Sequence, residues 1–251
     1  GKLGVDLATV EGSGPNGSVT STDVERAAQP LLEGVTVERL SGVRRAMAQA
    51  MSKSGAEVVP ATVTDEVDIN HWPDDADITI RLVRADEAGI SAEPVLNAWY
   101  HPEQGERWLH KDIHLGLAVD TRQGLFAPVL RGIASRSDDD LRSGLDNLRK
   151  DVEARSIPTE ELQGQTITLS NFGMMAGLHA ALVIVPPQVA ILGAGRIVKR
   201  VVLDHGEPAE HRFLPLSLTF DHRVVTGGEA ARFLAAVTAS LGQLIDKGHK
   251  T

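Results

Sequence analysis

Phe213-Leu214-Pro215-Leu216-Ser217-Leu218-Thr219-Phe220-Asp221-His222-Arg223-Val224-Val225-Thr226-Gly227-Gly228-Glu229-Ala230-Ala231-Arg232-Phe233 is the stretch on which the reading of this chain turns. Residues 213–220 alternate: Leu214, Leu216, Leu218 and Phe220 share one face, which predicts a strand. Beyond it the period changes. Phe233, Leu234, Val237, Leu241, Leu244 and Ile245 recur at helical spacing, and Thr226 with Glu229 forms a capping box ahead of them. A strand therefore runs into a helix through a short turn, and His222 sits on that turn. The C-terminal end of a strand facing a helix N-terminus is a favoured place for ligand sites in mixed sheets. A lone histidine in a turn is more often simply solvated, so context has to decide.

Working outward, residues 166–170 read as a strand with Ile167 and Leu169 on one face and Thr166, Thr168 and Ser170 on the other. It breaks at Asn171-Phe172-Gly173, so Ser170 either caps a turn or offers a free hydroxyl at a strand end. Residues 182–185 and 189–192 read as strands or buried runs, and Gly193-Ala194-Gly195 as a place of close backbone packing. Residues 137–154 form a polar helix with Leu141, Leu145 and Leu148 on one face. Residues 115–130 suggest two strands joined by Asp120-Thr121-Arg122-Gln123-Gly124, and residues 61–69 alternate as a strand. Val43, Met47 and Met51 recur at spacing four, with Arg44 and Arg45 beside them, as on one helix face. Pro73, Pro94 and Pro102 interrupt residues 72–110, where no element is clear.

Residues 1–30 form a separate small unit. Leu3, Val5, Leu7 and Val10 are its apolar residues; Thr22 with Glu25 predicts a capped helix, which Pro30 closes. Residues 12–17 match G-x-G-x-x-G, but Pro15 sits inside the match and no strand precedes it, so a turn is expected rather than a dinucleotide site. Residues 31–36 read as a linker and 37–251 as one mixed domain.

The chain has 251 residues, and 34 acidic against 25 basic side chains leave a net charge of −9, which argues against a nucleic-acid partner. There is no apolar run of the roughly 18 residues that a membrane helix needs. A basic-then-apolar secretory start is absent. The lack of cysteine excludes disulfides, thiolate metal sites and a cysteine nucleophile. Of the nine histidines, His71, His101, His110, His205, His211 and His249 are expected in solvent, while His114 and His179 flank apolar strands and are expected to be structural.

Asp221-His222-Arg223-Val224-Val225-Thr226-Gly227-Gly228, with Glu229-Ala230-Ala231-Arg232-Phe233, resembles the D-H-R-x-x-[D/N]-G-x-x-A-A-R-F signature of dihydrolipoamide acyltransferases, the acyltransferase components of 2-oxo acid dehydrogenase complexes. The resemblance extends in order across residues 37–245. It takes in Leu40-Ser41-Gly42-Val43-Arg44-Arg45-Ala46-Met47-Ala48, Thr64-Asp65-Glu66-Val67-Asp68, and Ala118-Val119-Asp120-Thr121 through Pro128-Val129. It continues through Thr166-Ile167-Thr168-Leu169-Ser170-Asn171-Phe172-Gly173 and Pro186-Pro187-Gln188-Val189-Ala190-Ile191-Leu192-Gly193. Gly12, Gly14-Pro15 and Gly17, followed by Asp23-Val24, resemble part of the peripheral-subunit-binding domain, so residues 1–30 are expected to be a partial one and 37–251 the catalytic domain.

The resemblance implies an α/β (α+β) two-layer sandwich like chloramphenicol acetyltransferase, a mixed sheet with helices packed on it. It implies a homotrimer with active sites between subunits, in which acyl groups, acetyl by preference, pass between dihydrolipoamide and coenzyme A. His222 is then the general base and Ser170 the oxyanion donor; their spacing, 222 − 170 = 52, suits the family. Ser170, Asn171 and Phe172 are expected on the coenzyme A side. Thr226 completes the catalytic set, standing where the family has Asp or Asn, and all three residue types are competent helix caps. No metal is implied.

No lipoyl-type Asp-Lys-Ala hairpin is present, so the lipoyl group is expected on a domain absent from this chain. Decarboxylase and dihydrolipoamide dehydrogenase components are the implied partners, their docking weakened because Ser18 and Ser21 stand where basic residues are common. The stretch 78–97 is shorter than the family's long helix there. The polar end, residues 246–251, predicts an isolated trimer rather than a cubic core. A cytoplasmic, bacterial-type location is expected, with the mitochondrial matrix as the alternative. The competing functions are a non-catalytic core subunit and an acetyltransferase for a free small molecule.

Overall fold

Residues 5–28, 35–38, 40–121 and 124–243 are described by the computed structural model, in which the chain divides into Gly1–Leu40 and Ser41–Thr251. In the first unit, helix α1 (Ser21–Ala27) is capped by Thr20 and boxed by Asp23, not by Thr22 and Glu25, which are exposed. Asp23 wins because its short carboxylate takes three donors at once: the Thr20 N–H at 3.0 Å, the Thr20 hydroxyl at 2.8 Å and the Ser13 N–H at 2.9 Å. The Ser13 amide above all holds this acid well below the usual carboxylate range. The glycine-rich segment is thereby tied to the helix as a turn, closed by a hydrogen bond from Gly14 N–H to the Ser18 carbonyl. Leu3, Pro30 and most of the 31–36 linker lie outside the described residues.

The second unit starts with helix α2 (Gly42–Glu57), on which Val43, Met47 and Met51 are only half-buried. Strand β1 (Pro60–Asp68) and helix α3 (Ile78–Ala92) follow, so residues 72–110 hold a full helix that the prolines obscure. Asp77 caps α3 by accepting the Thr79 and Ile80 amides, both at 3.1 Å. Next come the hairpin β2 (Ala98–His101) and β3 (Glu106–Leu109), then β4 (Leu115–Leu117). A second hairpin, β5 (Val119–Thr121) with β6 (Gly124–Phe126), precedes β7 (Val129–Leu130). The expected pair of strands over 115–130 is therefore four short ones, because β5 and β6 leave the main sheet and pair with each other. Arg122 and Gln123 of their turn lie outside the described residues. Helix α4 (Asp138–Ala154), β8 (Ile167–Asn171), β9 (Ala190–Ala194), β10 (Val198–Asp204), β11 (Glu207–Asp221) and helix α5 (Gly227–Leu241) complete the unit. Leu244 and Ile245, and the polar end with His249, lie outside the described residues.

The main sheet runs β1-β11-β9-β8-β4-β7, with β10 also on β11. It is mixed: β9–β8 and β8–β4 are parallel, the other pairs antiparallel. Leu214, Leu216, Leu218 and Phe220 are buried as their alternation predicts. Ser217 and Thr219, between them, are buried too. Their hydroxyls accept the Ala180 amide at 3.1 Å and the Leu182 amide at 3.0 Å, pinning a strap over the polar face. Residues 182–185 belong to that strap and form no strand; side-chain oxygens, not a ladder, hold it, and the Ser54 hydroxyl grips the Ile184 carbonyl at 2.5 Å. Gly195 meets the strap closely: a Cβ there would lie 2.0 Å from the Leu178 carbonyl oxygen.

Three of the histidines expected in solvent are elsewhere. His211 sits 2.5 Å from the Asp68 carboxylate, and the rings of His101 and His110 pack on Trp108 and Trp99 with centroids 4.1 and 4.6 Å apart. The tryptophans of the β2–β3 hairpin leave His101 and His110 half-buried in the proline-broken region. Burial, aided by His114 and His101, lowers the pKa of His110. His114 takes the Gly132 amide on Nδ1 at 3.1 Å, as a structural histidine should.

Helices α3 and α5 pack tightly: a Cβ on Gly89 would lie 2.8 Å from Phe233 and Val237. One group in this layer is chemically out of place. Asp86 of α3 is fully buried and neither carboxylate oxygen has a partner among the described residues. Burial pushes its pKa up to about 8, so it is a neutral acid at pH 7. The folded state therefore binds a proton that the unfolded chain releases near pH 4, and stability falls as pH rises between these values, then levels off. Asp86→Ala is expected to melt higher than the parent, by about 2–4 kcal/mol at pH 8 and much less at pH 5. Denaturant titrations at the two pH values check this; a gain independent of pH would show that the carboxyl is not the cause.

Candidate active site

A buried carboxylate organises the turn between β11 and α5. Asp221 is 1% exposed, and its oxygens accept the Arg223 amide at 3.1 Å, the Arg223 guanidinium at 2.6–3.1 Å and the Val59 amide at 3.4 Å. Its carbonyl accepts both Val224 and Val225 amides, at 3.1 and 3.0 Å. Hydrogen bonding to Asp221 raises the Arg223 pKa. His222 donates its own N–H to the Val59 carbonyl at 2.8 Å, and its ring is exposed beside Phe220, centroids 5.5 Å apart. Among the described residues no hydrogen bond reaches the His222 ring or the Ser170 hydroxyl. Both are unengaged groups on an otherwise well-bonded frame.

Thr226 caps α5. Its hydroxyl accepts the Glu229 amide at 3.3 Å and donates to the Glu229 carboxylate at 2.9 Å, while its own amide donates to that carboxylate at 2.7 Å. The Thr226 amide, first among these contacts, lowers the Glu229 pKa. The hydroxyl is thus fully used by the helix.

Ser170 lies elsewhere. It pairs with Gly193, which pairs with Ser217, five residues before His222. Two strand spacings across and five residues along place Ser170 roughly 15–20 Å from His222 within one chain. Alternation also separates Ser170 from Asn171. Leu169 and Asn171 line a cavity of about 290 Å³ with Leu117, Leu145 and Leu148 on the helix side, while Ser170 faces the strap side. Phe172 packs near the strap, 3.0 Å from where a Gly193 Cβ would lie. The three residues expected to bind coenzyme A thus do not share one surface within the chain. The Asp221–Arg223 pair was not singled out in the sequence, although the D-x-R spacing beside His222 was there to read.

The model for the catalytic domain of 2-oxoacid dehydrogenase acyltransferases matches residues 33–246. The chain belongs to this family. Residues 1–25 match an E3-binding-domain model. The acetyltransferase component of the acetoin cleaving system of Bacillus subtilis is 34% identical over 96% of this chain and 66% of its own length. The lipoamide acyltransferase component of a branched-chain alpha-keto acid dehydrogenase complex from Pseudomonas aeruginosa is 32% identical, over 95% and 63%. The chain thus spans about two thirds, or slightly less, of these relatives. The Azotobacter vinelandii dihydrolipoamide acetyltransferase, studied for a serine, a histidine and an asparagine in its catalytic mechanism, superposes with a TM-score of 0.77 at 26% identity, covering 88% of this chain and 95% of that one. The mixed sheet with one helical layer is this family's acyltransferase fold. No helix among the described residues is long and apolar enough to cross a membrane.

Because the Thr226 hydroxyl already serves the cap, Thr226→Asn is expected to keep acyltransfer within about ten-fold of the parent, while Thr226→Ala costs about 1 kcal/mol of stability. Steady-state rates and denaturant melts read the two effects separately; an increase of orders of magnitude in Thr226→Asn would show that the amide supplies something threonine lacks.

Proposed function

We propose that this chain transfers an acyl group between the thiols of a dihydrolipoyl group and coenzyme A, with acetyl the preferred acyl group. The observation that carries the reading is the pair of unengaged groups, the His222 ring and the Ser170 hydroxyl. They are spaced along the sequence as the histidine and serine studied in the Azotobacter enzyme are, and Thr226 falls at the position of its asparagine. Their in-chain separation favours a site assembled from two subunits of a homotrimer, His222 from one and Ser170 from the next.

A thiol with a pKa near 8.5 is mostly protonated at neutral pH, so attack on a thioester needs a base. His222 takes the thiol proton as the sulfur bonds to the acyl carbon, a contribution of about 10²–10⁴ in rate. The carbonyl oxygen becomes an oxyanion, and the Ser170 hydroxyl donates to it, worth roughly 3 kcal/mol. The carbon–sulfur bond of the departing thiol then breaks, and the imidazolium returns its proton to that sulfur. No acyl-enzyme forms. Coenzyme A is a substrate here, and the lipoyl group arrives on another domain. Residues 1–25 would dock a dihydrolipoamide dehydrogenase or decarboxylase component, with Ser18 and Ser21 lowering the positive charge of that surface. The functional place is the core of a multienzyme complex in the bacterial cytoplasm.

Acetyl-CoA and free dihydrolipoamide are the assay pair. His222→Ala is expected to lower the rate by at least about 10²-fold, and Ser170→Ala by about 10²-fold. Trimers of the two variants, dissociated and reassociated together in equal amounts, should regain about one quarter of the parent activity, since each shared site draws its two groups from different chains. No recovery would place both groups in one chain. Equal activity in the parent and His222→Ala would refute His222 as the base, and a parent without activity would leave a non-catalytic core subunit. Succinyl- and isobutyryl-CoA run alongside settle the acyl preference.

A further inference from the structure

The His222 turn is gripped from outside by the β2–β3 hairpin. Tyr100 and Arg107 are register partners on it. The Arg223 guanidinium, already paired with Asp221, lies over the Tyr100 ring, 4.8 Å from its centroid. Arg107 donates a hydrogen bond to the Val224 carbonyl, and its charge also acts on Glu229 of the α5 cap. Both contacts land within two residues of His222, on its C-terminal side. The hairpin is itself anchored to the body of the domain: the Tyr100 amide donates to the Pro187 carbonyl at 2.8 Å, and the Trp99 indole donates to the Gln165 carbonyl at 2.9 Å.

We propose that Tyr100 and Arg107 are positioning residues for His222, holding the backbone that carries it through Arg223 and the Val224 carbonyl. The inference rests on His222 being the base. The backbone of His222 has one strong tie on its N-terminal side, to Val59. On its C-terminal side the local turn bonds all converge on Asp221, two to four residues back in the chain. Val225 on that side is also buried in the core, but among the described residues the hydrogen-bond and cation–π contacts from that side to a distant element are those of Arg107 and Tyr100, so they help set where the turn sits rather than merely its internal shape. An exposed ring with no hydrogen bond of its own depends on its backbone for aim, and small misplacements of a catalytic group are expensive in rate.

The test uses the assembled protein. Arg107→Gln and Tyr100→Leu are expected to speed amide exchange at residues 222–225 by about ten-fold or more while the β11 ladder keeps its protection. In the acetyl-CoA assay kcat should fall by about ten-fold or more with KM for acetyl-CoA held within two-fold, because substrate contacts are untouched. Tyr100→Phe, which keeps the ring face, should restore both readouts. If Tyr100→Leu does not fold, Arg107→Gln carries the test against the same controls. Unchanged exchange in the variants overturns the proposal whatever the rates do, and so does faster exchange with an undiminished kcat. A parent protein with no acyltransfer at all would instead refute the function assigned above, and exchange would still decide whether the hairpin holds the turn.

Discussion

A carboxylate removed from water must find donors, and Asp221 finds them in a way that fixes much of what surrounds it. Its partners come from the residue two ahead and from the start of β1, far away in sequence. The bidentate Arg223 contact keeps the charge compensated, and the Val59 amide brings the end of α2 to the end of β11. Strand β1 then begins pairing directly, Pro60 opposite Asp221, and runs in register to Asp68 opposite Phe213. Replacing Asp221 by an uncharged residue would leave the partly exposed Arg223 guanidinium and the Val59 amide without their acceptor at once, so the turn, the first strand pair and the placement of His222 are one construction.

The same sheet geometry separates the two groups on which the chemistry is proposed to depend. β8 is two strands from β11, and Ser170 is set back from the strand end that carries His222. A ladder cannot be slipped to bring them together, because a shift of one residue would turn the buried leucines of β11 to the opposite face. Assembly is the remaining route. Surfaces left by the single chain agree with one: α2 keeps its methionines half-buried, and Met174 and Met175 in the turn before the strap and Val183 on it are exposed. Apolar side chains gathered on a loop pinned across the sheet suit a partner subunit better than solvent.

Sequence patterns revealed β11, α5 and the Thr226 cap because each rests on local rules: alternation, helical period and cap chemistry. The strap over residues 177–187 was not legible in the same way. Its run Leu182-Val183-Ile184-Val185 has the composition of a strand, but the donors it needs are met by Ser217 and Thr219, and nothing local announces a side-chain oxygen thirty-odd residues away. The capping box at residues 20–23 was misread for a related reason. Thr22 and Glu25 satisfy the pattern, yet Asp23 is chosen because it also reaches Ser13. The two-residue hairpin grip on the His222 turn was hidden in the proline-broken stretch, where period carries no information and only register shows that Tyr100 and Arg107 are neighbours.

Thr226 shows how far a family signature can be read as chemistry. Conservation of type at a cap position has two sources, a helix that must start there and a group that must face the site. Here the hydroxyl donates to Glu229 and accepts from its amide, so both of its roles are spent inside the helix. An asparagine or aspartate would cap as well but would keep a second polar atom free. The difference between threonine and its alternatives is therefore a single spare polar atom at the start of α5. What remains common to all three is the start of α5, which begins five residues after His222 and points its amide end toward that turn. That end carries partial positive charge. The Glu229 carboxylate, which accepts the Thr226 amide and hydroxyl, already sits against it.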